Sequence, residues 1–212
     1  TYSIYSHIFG LDGSDYGVTE EAPAWPTNKW YPGMVISTTQ TFIPRAPLDS
    51  PSIATLDFGL KNMEGQALQV RDSQGEPLPL PHIRLKFVPA GWPDSGSPDK
   101  AVHLLFGQAI ELAGISALPE QANAGEKASI QLWWRLVGPP PGDFAVFLHV
   151  LDAEGKLAAQ VDGQPLNGTY PMSGWEQGET IVDKREIDLP AQLEAGEYTL
   201  ILGLYDPASN ER

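Results

Sequence analysis

The sequence predicts an all-β chain of two tandem β-sandwich modules, immunoglobulin-like or jelly-roll in type, related by an internal repeat. Three observations carry that prediction. Short runs of apolar and β-branched residues recur along the chain, punctuated by 20 Pro and 21 Gly among 212 residues. Nowhere is a helical 3.6 period sustained. The chain also matches itself. The stretch "YSIYSHIFGLDG" (2–13) aligns with "FAVFLHVLDAEG" (144–155), placing His7 on His149 and Gly13 on Gly155. Pro26, Trp30 and Gly33 then fall on Pro171, Trp175 and Gly178, and Pro44 falls on Pro190. Finally "ATLDFGLKN" (54–62) falls on "YTLILGLYD" (198–206), matching Gly59 with Gly203 and Leu60 with Leu204. Order and spacing hold through all of these matches, so the duplication is read as real.

The first module, residues 1–90, opens directly on the "YSIYSHIFGLDG" strand and its turn. It passes through Pro-x-x-x-Trp-x-x-Gly and an alternating run closed by Pro44, and reaches the "ATLDFGLKN" strand. It ends in "ALQVRDSQGEPLPLPHIRLKFV" (67–88), a hairpin-like pair. The next stretch, "VPAGWPDSGSPDK" (88–100), has linker composition, and the linker is placed at 91–100. In the second module, residues 101–212, strands are expected in "HLLFGQAIELAGISAL" (103–118) and "ASIQLWWRLVG" (128–138). The latter has Ala128, Ile130, Leu132, Trp134 and Leu136 on one face. "DFAVFLHVLD" (143–152) is apolar on both faces, as a central strand covered on both sides reads. "LDAEGKLAAQVDG" (151–163) is a turn and a short strand. "ETIVDKREIDLP" (179–190) alternates, with Ile181, Asp183, Arg185 and Ile187 on one face, and Pro190 ends it. "YTLILGLYD" aligns Tyr198, Leu200, Leu202 and Leu204.

The two modules are out of phase. The second has strands ahead of "FAVFLHV", whereas the first begins at the matching strand. The first is therefore expected to be incomplete at its N-terminal side unless residues 66–89 close its core. Its missing strands are expected from a neighbouring chain, as in a homodimer formed by strand exchange.

Composition excludes several functions. With no cysteine there is no disulfide, thiolate zinc site or cysteine nucleophile. A net charge of −14 argues against nucleic acid as a partner, since phosphate recognition needs a basic surface. No apolar run is long enough, at about 18 residues, to span a membrane. The chain begins Thr-Tyr-Ser, without Met or signal peptide, and reads as an excised or processed segment.

From "DFAVFLHVLD" onward the residues resemble a family. The "FLHVLD" strand, Gln-Val-Asp-Gly-x-Pro, Tyr-Pro-x-Ser-x-Trp-x-x-Gly-Glu, Leu-Pro-x-x-Leu-x-x-Gly-x-Tyr and Gly-Leu-Tyr-Asp-Pro are similar to β-sandwich modules of bacterial multi-pass membrane glycosyltransferases, relatives of the protein mannosyltransferases. "FGQAIELAGISAL" and "GEKASIQLWW" fit as well, so the likeness covers about half the chain. The first module matches through the repeat and departs at Gln-Val-Asp-Gly-x-Pro, where it reads "YGVTEEAPAW". The resemblance implies an extracytoplasmic, accessory, non-catalytic region tethered through a membrane-embedded glycosyltransferase, supporting or binding glycan or acceptor. The parent's catalytic acids have no counterpart here. Other readings of the same residues are a free-standing carbohydrate-binding or adhesion module, a structural spacer, and a glycoside-active jelly roll.

Candidate site residues follow. Trp30 and Trp175 of the repeated motif, with neighbouring Trp25 and Tyr170, either plug the open end of a sandwich or offer stacking faces for sugar rings. Trp133 shares a face with Gln131 and Arg135, so it is either covered by a loop or module or is itself such a platform. Asp152, Glu154 and Asp162 could hold a structural Ca²⁺, against the commoner reading of acids in turns as solvated. His7 and His149 repeat, but no nucleophile pairs with them and no zinc-ligand spacing involves His82 or His103. "NGT" (167–169) is a formal glycosylation sequon that reads more simply as a turn. No residue is assigned a catalytic role, and no cofactor is called for apart from that calcium.

Overall fold

The computed structural model describes residues 1–45, 48–92, 96–140 and 142–212. The chain is all-β, its ladders antiparallel, and it divides into two compact units, Thr1–Val88 and Pro89–Arg212. No described helix is long and apolar enough to cross a membrane.

In the first unit, β1 (Tyr2–Gly10), β2 (Asp15–Glu21), β3 (Ser52–Asn62) and β4 (His82–Phe87) form one sheet in the order β2-β1-β3-β4. β1 is central because it pairs with both β2 and β3. Between β3 and β4 the chain makes two successive tight turns. Asn62 Oδ1 accepts the Glu64 and Gln66 amides, and Asp72 Oδ1 accepts those of Gln74 and Glu76. Each turn has a glycine at positive φ, Gly65 at 80° and Gly75 at 88°, a conformation a Cβ disfavours. Residues 66–79 are almost entirely exposed, and 82–87 extend the same sheet rather than start a second. Residues 66–89 therefore do not close the first core.

The second unit has two sheets. β5 (Lys100–Phe106), β6 (Ile110–Ser116), β7 (Lys127–Leu136) and β10 (Thr180–Asp188) give the order β10-β7-β6-β5. β8 (Ala145–Leu151), β9 (Leu157–Gly163) and β11 (Thr199–Tyr205) give β11-β8-β9. Leu112, Ile130, Leu132, Trp134 and Ile181 of the first sheet, and Val146 and Leu148 of the second, are buried to 2% exposure or less. Fully burying an apolar side chain of this size contributes about 1.5–3 kcal/mol, so this face-to-face core is what holds the unit. Trp134 is its largest member and meets Phe106 edge-on at 5.7 Å. Of the expected linker, Pro93, Asp94 and Ser95 lie outside the described residues, while its last residues belong to the second unit. The Asp99 amide bonds Ser116 Oγ at 2.9 Å, and β5 starts at Lys100.

The repeat survives in register as well as in sequence. The order β2-β1-β3 reproduces β9-β8-β11. Tyr5 faces Gly59 across β1 and β3, and Phe147 faces Gly203 across β8 and β11. In both pairs the aromatic ring lies over the glycine. A Cβ would sit 3.0 Å from the Tyr5 ring in one and 2.5 Å from the Phe147 ring in the other. A cation then covers each ring, Lys61 Nζ 5.7 Å from Tyr5 and the Arg212 guanidinium 4.6 Å from Phe147. The first unit's sheet is therefore the counterpart of the second sheet of the second unit.

Candidate functional site

The two Pro-x-x-x-Trp-x-x-Gly motifs fold alike. Pro26 (φ −56°) and Pro171 (φ −65°) each lead into one 3₁₀ turn, Thr27–Lys29 and Met172–Gly174. Each turn ends at a tryptophan in extended conformation, Trp30 (φ −77°, ψ 145°) and Trp175 (φ −72°, ψ 149°). An indole N–H taken out of water needs an acceptor. Trp30 Nε1 donates to the Trp25 carbonyl at 2.9 Å, and Trp175 Nε1 to the Tyr170 carbonyl at 3.0 Å. Gly33 (φ 85°) and Gly178 (φ 82°) then reverse the chain. The Gly178 amide bonds the Leu136 carbonyl at 2.8 Å, fixing the second motif to β7.

Exposure separates the two copies. Tyr170 and Trp175 are 0% and 5% exposed, and the Tyr170 hydroxyl donates to Glu179 at 2.6 Å. Trp133 is 7% exposed, and its indole donates to Ser116 Oγ at 3.0 Å. Pro98 lies against Gly114, the residue opposite Trp133, so the chain's own approach to β5 covers that face. Trp133, Trp175 and Tyr170 are thus structural and offer no ring face to a sugar. Trp25, at 54% exposure, and half-buried Trp30 do reach solvent, next to Tyr31 at 67%.

The calcium reading fails on placement. Asp152 Oδ1 accepts the Glu154 and Lys156 amides in the β8–β9 turn, the arrangement already seen at Asn62 and Asp72. Glu154 points to solvent, and Asp162 lies 3.3 Å from His149. Among the described residues no three His, Asp or Glu side chains are placed to hold a metal ion. The two repeated histidines each face an aspartate: His7 Nε2 is 3.4 Å from Asp15, which Arg45 also holds at 2.6 Å. Each histidine thus lies beside an aspartate and against a phenylalanine ring, His7 5.3 Å from Phe9 and His149 5.0 Å from Phe147. The sequon turn, Pro165–Gly168, has Leu166 and Asn167 in the left-handed region at φ 51° and 55°.

Two polar clusters were not singled out from the sequence. On β10, Asp183 and Arg185 are 1% and 5% exposed and joined at 2.7 Å. Asp183 Oδ1 accepts the Leu166 amide at 3.0 Å, and Arg185 Nη2 donates to the Gly163 carbonyl at 2.9 Å. The pair therefore ties one sheet to the turn leaving the other. Burial pushes the Asp183 carboxyl above the ordinary range, opposed by the charge of Arg185 and by the hydrogen bonds from the Leu166 amide and Arg185. On the outer face of β5–β7, Glu111 accepts Arg135 at 2.6 and 2.9 Å and meets His103 Nδ1 at 2.8 Å. His103 takes φ 53° in a bulge of β5. The His103 and Arg135 hydrogen bonds hold the Glu111 carboxyl below its ordinary range.

Hollows open on the second unit, two of them sizeable. One, of about 750 Å³, lies at a sandwich end with Ile130, Leu189, Leu193 and Leu200 in its walls and Glu120 and Glu194 among its lining residues. The other, of about 690 Å³, runs beside the edges of β9 and β10. Its walls carry Asp162, Gln164, Asn167, Lys127, Lys184 and Glu186. Lys127 bridges to Glu186 at 3.0 Å and Asp188 at 3.7 Å, which raises its ammonium above the usual lysine range. Carboxylate, amide and ammonium groups so arranged can both donate to and accept from the hydroxyls of a sugar. No protein-family model matches this chain, and neither does any curated protein.

Proposed function

We propose that the chain is a non-catalytic, extracytoplasmic β-sandwich region of a membrane glycosyltransferase-like protein that holds glycan or acceptor in the polar groove beside β9 and β10. One observation carries this reading. Gln-Val-Asp-Gly-x-Pro, the motif the first unit lacks, supplies Val161, Asp162, Gly163 and Gln164 to that groove. The motif the two units share, Pro-x-x-x-Trp-x-x-Gly, closes a loop in both. The part written twice is architectural, and the part written once lines an open polar surface. Support without binding, the spacer role, is the outcome if no sugar is held.

A second reading places the sugar on Trp25 and Tyr31, and their exposures of 54% and 67% favour it. A glycan array probed with the wild type, Asp162→Ala with Gln164→Ala, and Trp25→Ala separates the two. The groove reading expects binding that survives Trp25→Ala and is lost in the double variant, with all proteins shown folded by circular dichroism. Loss in Trp25→Ala alone moves the site to the first unit. No binding by any of them leaves only the spacer.

A further inference from the structure

The larger of the two sizeable hollows has no part in the groove reading. It opens where the two sheets of the second unit part at one end of the sandwich. Ile187 of β10 pairs with Ala128 of β7, Leu200 of β11 pairs with Val150 of β8, and both rungs line the hollow. Its floor is therefore core surface of both sheets. Ile130 and Ile187 there are 2% and 3% exposed, while Val150 and Leu200 are half-buried.

The loops that wall the hollow explain the space. Residues 118–126, "LPEQANAGE", and 191–197, "AQLEAGE", are rich in Ala and Gly, whose short side chains leave it unfilled. Hydrogen bonds fix both loops. The Gly125 amide bonds the Leu189 carbonyl at 3.0 Å, and the Leu189 amide bonds the Glu126 carbonyl at 2.9 Å. The Tyr198 hydroxyl donates to the Glu194 carbonyl at 2.9 Å. A hollow framed in this way is formed before any ligand arrives, which spares a ligand the cost of ordering it. Its volume, about 750 Å³, is that of a small-molecule site.

Charge at the mouth selects the ligand. Glu120 in one loop and Glu194 and Glu197 in the other are exposed, and no Lys, Arg or His is among the described lining residues. Low-dielectric walls that carry one sign of charge concentrate ions of the other sign. On the floor, water meets apolar groups that offer it no hydrogen bond, so an apolar stem laid there is favoured.

We propose that this hollow binds a free aliphatic amine. The stem lies on Ile130, Val150, Ile187 and Leu200, and the ammonium sits among Glu120, Glu194 and Glu197. The hollow shares no lining residue with the polar groove, so the inference is independent of the groove reading.

The test titrates hexylamine, hexanol and hexanoate, three heads on one stem, into the isotope-labelled full chain and follows amide shifts. Hexylamine should give saturable shifts at Ala128, Ile130, Val150, Leu193, Glu197 and Leu200. Hexanol should bind about tenfold more weakly, and hexanoate more weakly still. Butylamine should also lose about tenfold, at about fourfold per buried CH₂. Salt at about 1 M screens the mouth and should bring hexylamine down to hexanol. Glu194→Gln with Glu197→Gln, both exposed, should do the same at low salt while leaving hexanol binding and the fold unchanged. The inference is overturned if millimolar hexylamine gives no saturable shifts, if hexanoate or butylamine binds as tightly, or if the amine's advantage survives salt or the double variant. Shifts confined to the glutamates, with Ile130, Val150 and Leu200 silent, would mean surface ion pairing alone and overturn it equally.

Discussion

Replacing Asp183 tests how the two sheets of the second unit are joined. In Asp183→Ala the Arg185 guanidinium, 5% exposed, keeps its charge and loses its counter-ion, and stranding one member of a buried pair costs about 3–5 kcal/mol. The Leu166 amide also loses its acceptor, and an orphaned buried donor costs about 1–3 kcal/mol. The single variant is therefore expected to lose roughly 4–8 kcal/mol, a large share of a typical domain's stability. In Asp183→Leu with Arg185→Met no charge is left behind, and many buried pairs can be replaced this way at little cost. Here the Leu166 amide and the Gly163 carbonyl would both be left without partners, so the double variant should still lose roughly 2–6 kcal/mol. It should be less damaged than the sum of its two single variants. Urea titration followed by hydrogen exchange at β7 and β10 reads this unit apart from the first. A loss below about 1 kcal/mol in Asp183→Ala, or strict additivity in the cycle, would refute the argument.

Two further effects follow from the same contacts. Trp175→Ala removes a buried ring and should destabilise the second unit by about 3–5 kcal/mol, whereas Trp30→Ala removes a half-exposed one and should cost well under half of that, as read by denaturant midpoints of each unit. Glu111 has a lowered folded-state pKa, so its contribution is fully present above the unfolded carboxylate pKa and is lost as pH falls through the folded one. The gap in melting temperature between wild type and Glu111→Gln should accordingly be wide at pH 7 and close in strongly acidic buffer, and a gap independent of pH would count against the ion cluster.

Much of the fold is written locally, and what is not depends on partners far away in the chain. β7, β8 and β11 are legible because their apolar residues recur with the period of a strand and must be covered. The alternation on β10 put Asp183 and Arg185 on the side of Ile181 and Ile187, but that this side is the core, and that the ions meet Leu166 and Gly163 there, depends on how a distant turn packs. The Glu111 cluster was hidden because it spans three strands and relies on a bulge at His103. Residues 34–43 alternate as a strand should, yet form none, because a strand exists only when another pairs with it. Asp152 was a candidate ligand on residue type alone, and the Glu154 and Lys156 amides that donate to it show the acid shaping a turn. Trp175 and Trp30 share a motif, so sequence gave them one role, and only packing shows one ring enclosed and the other half in water.

The central claim is that the residues written once, not those written twice, form the binding surface. Amide chemical shifts of isotope-labelled protein, titrated with a panel of oligosaccharides, test it most directly. The account predicts shifts confined to Asp162, Gly163, Gln164, Asn167 and the facing amides of Lys184 and Glu186. Shifts centred on Trp25, Trp30 and Tyr31, or none with any sugar of the panel, would contradict it.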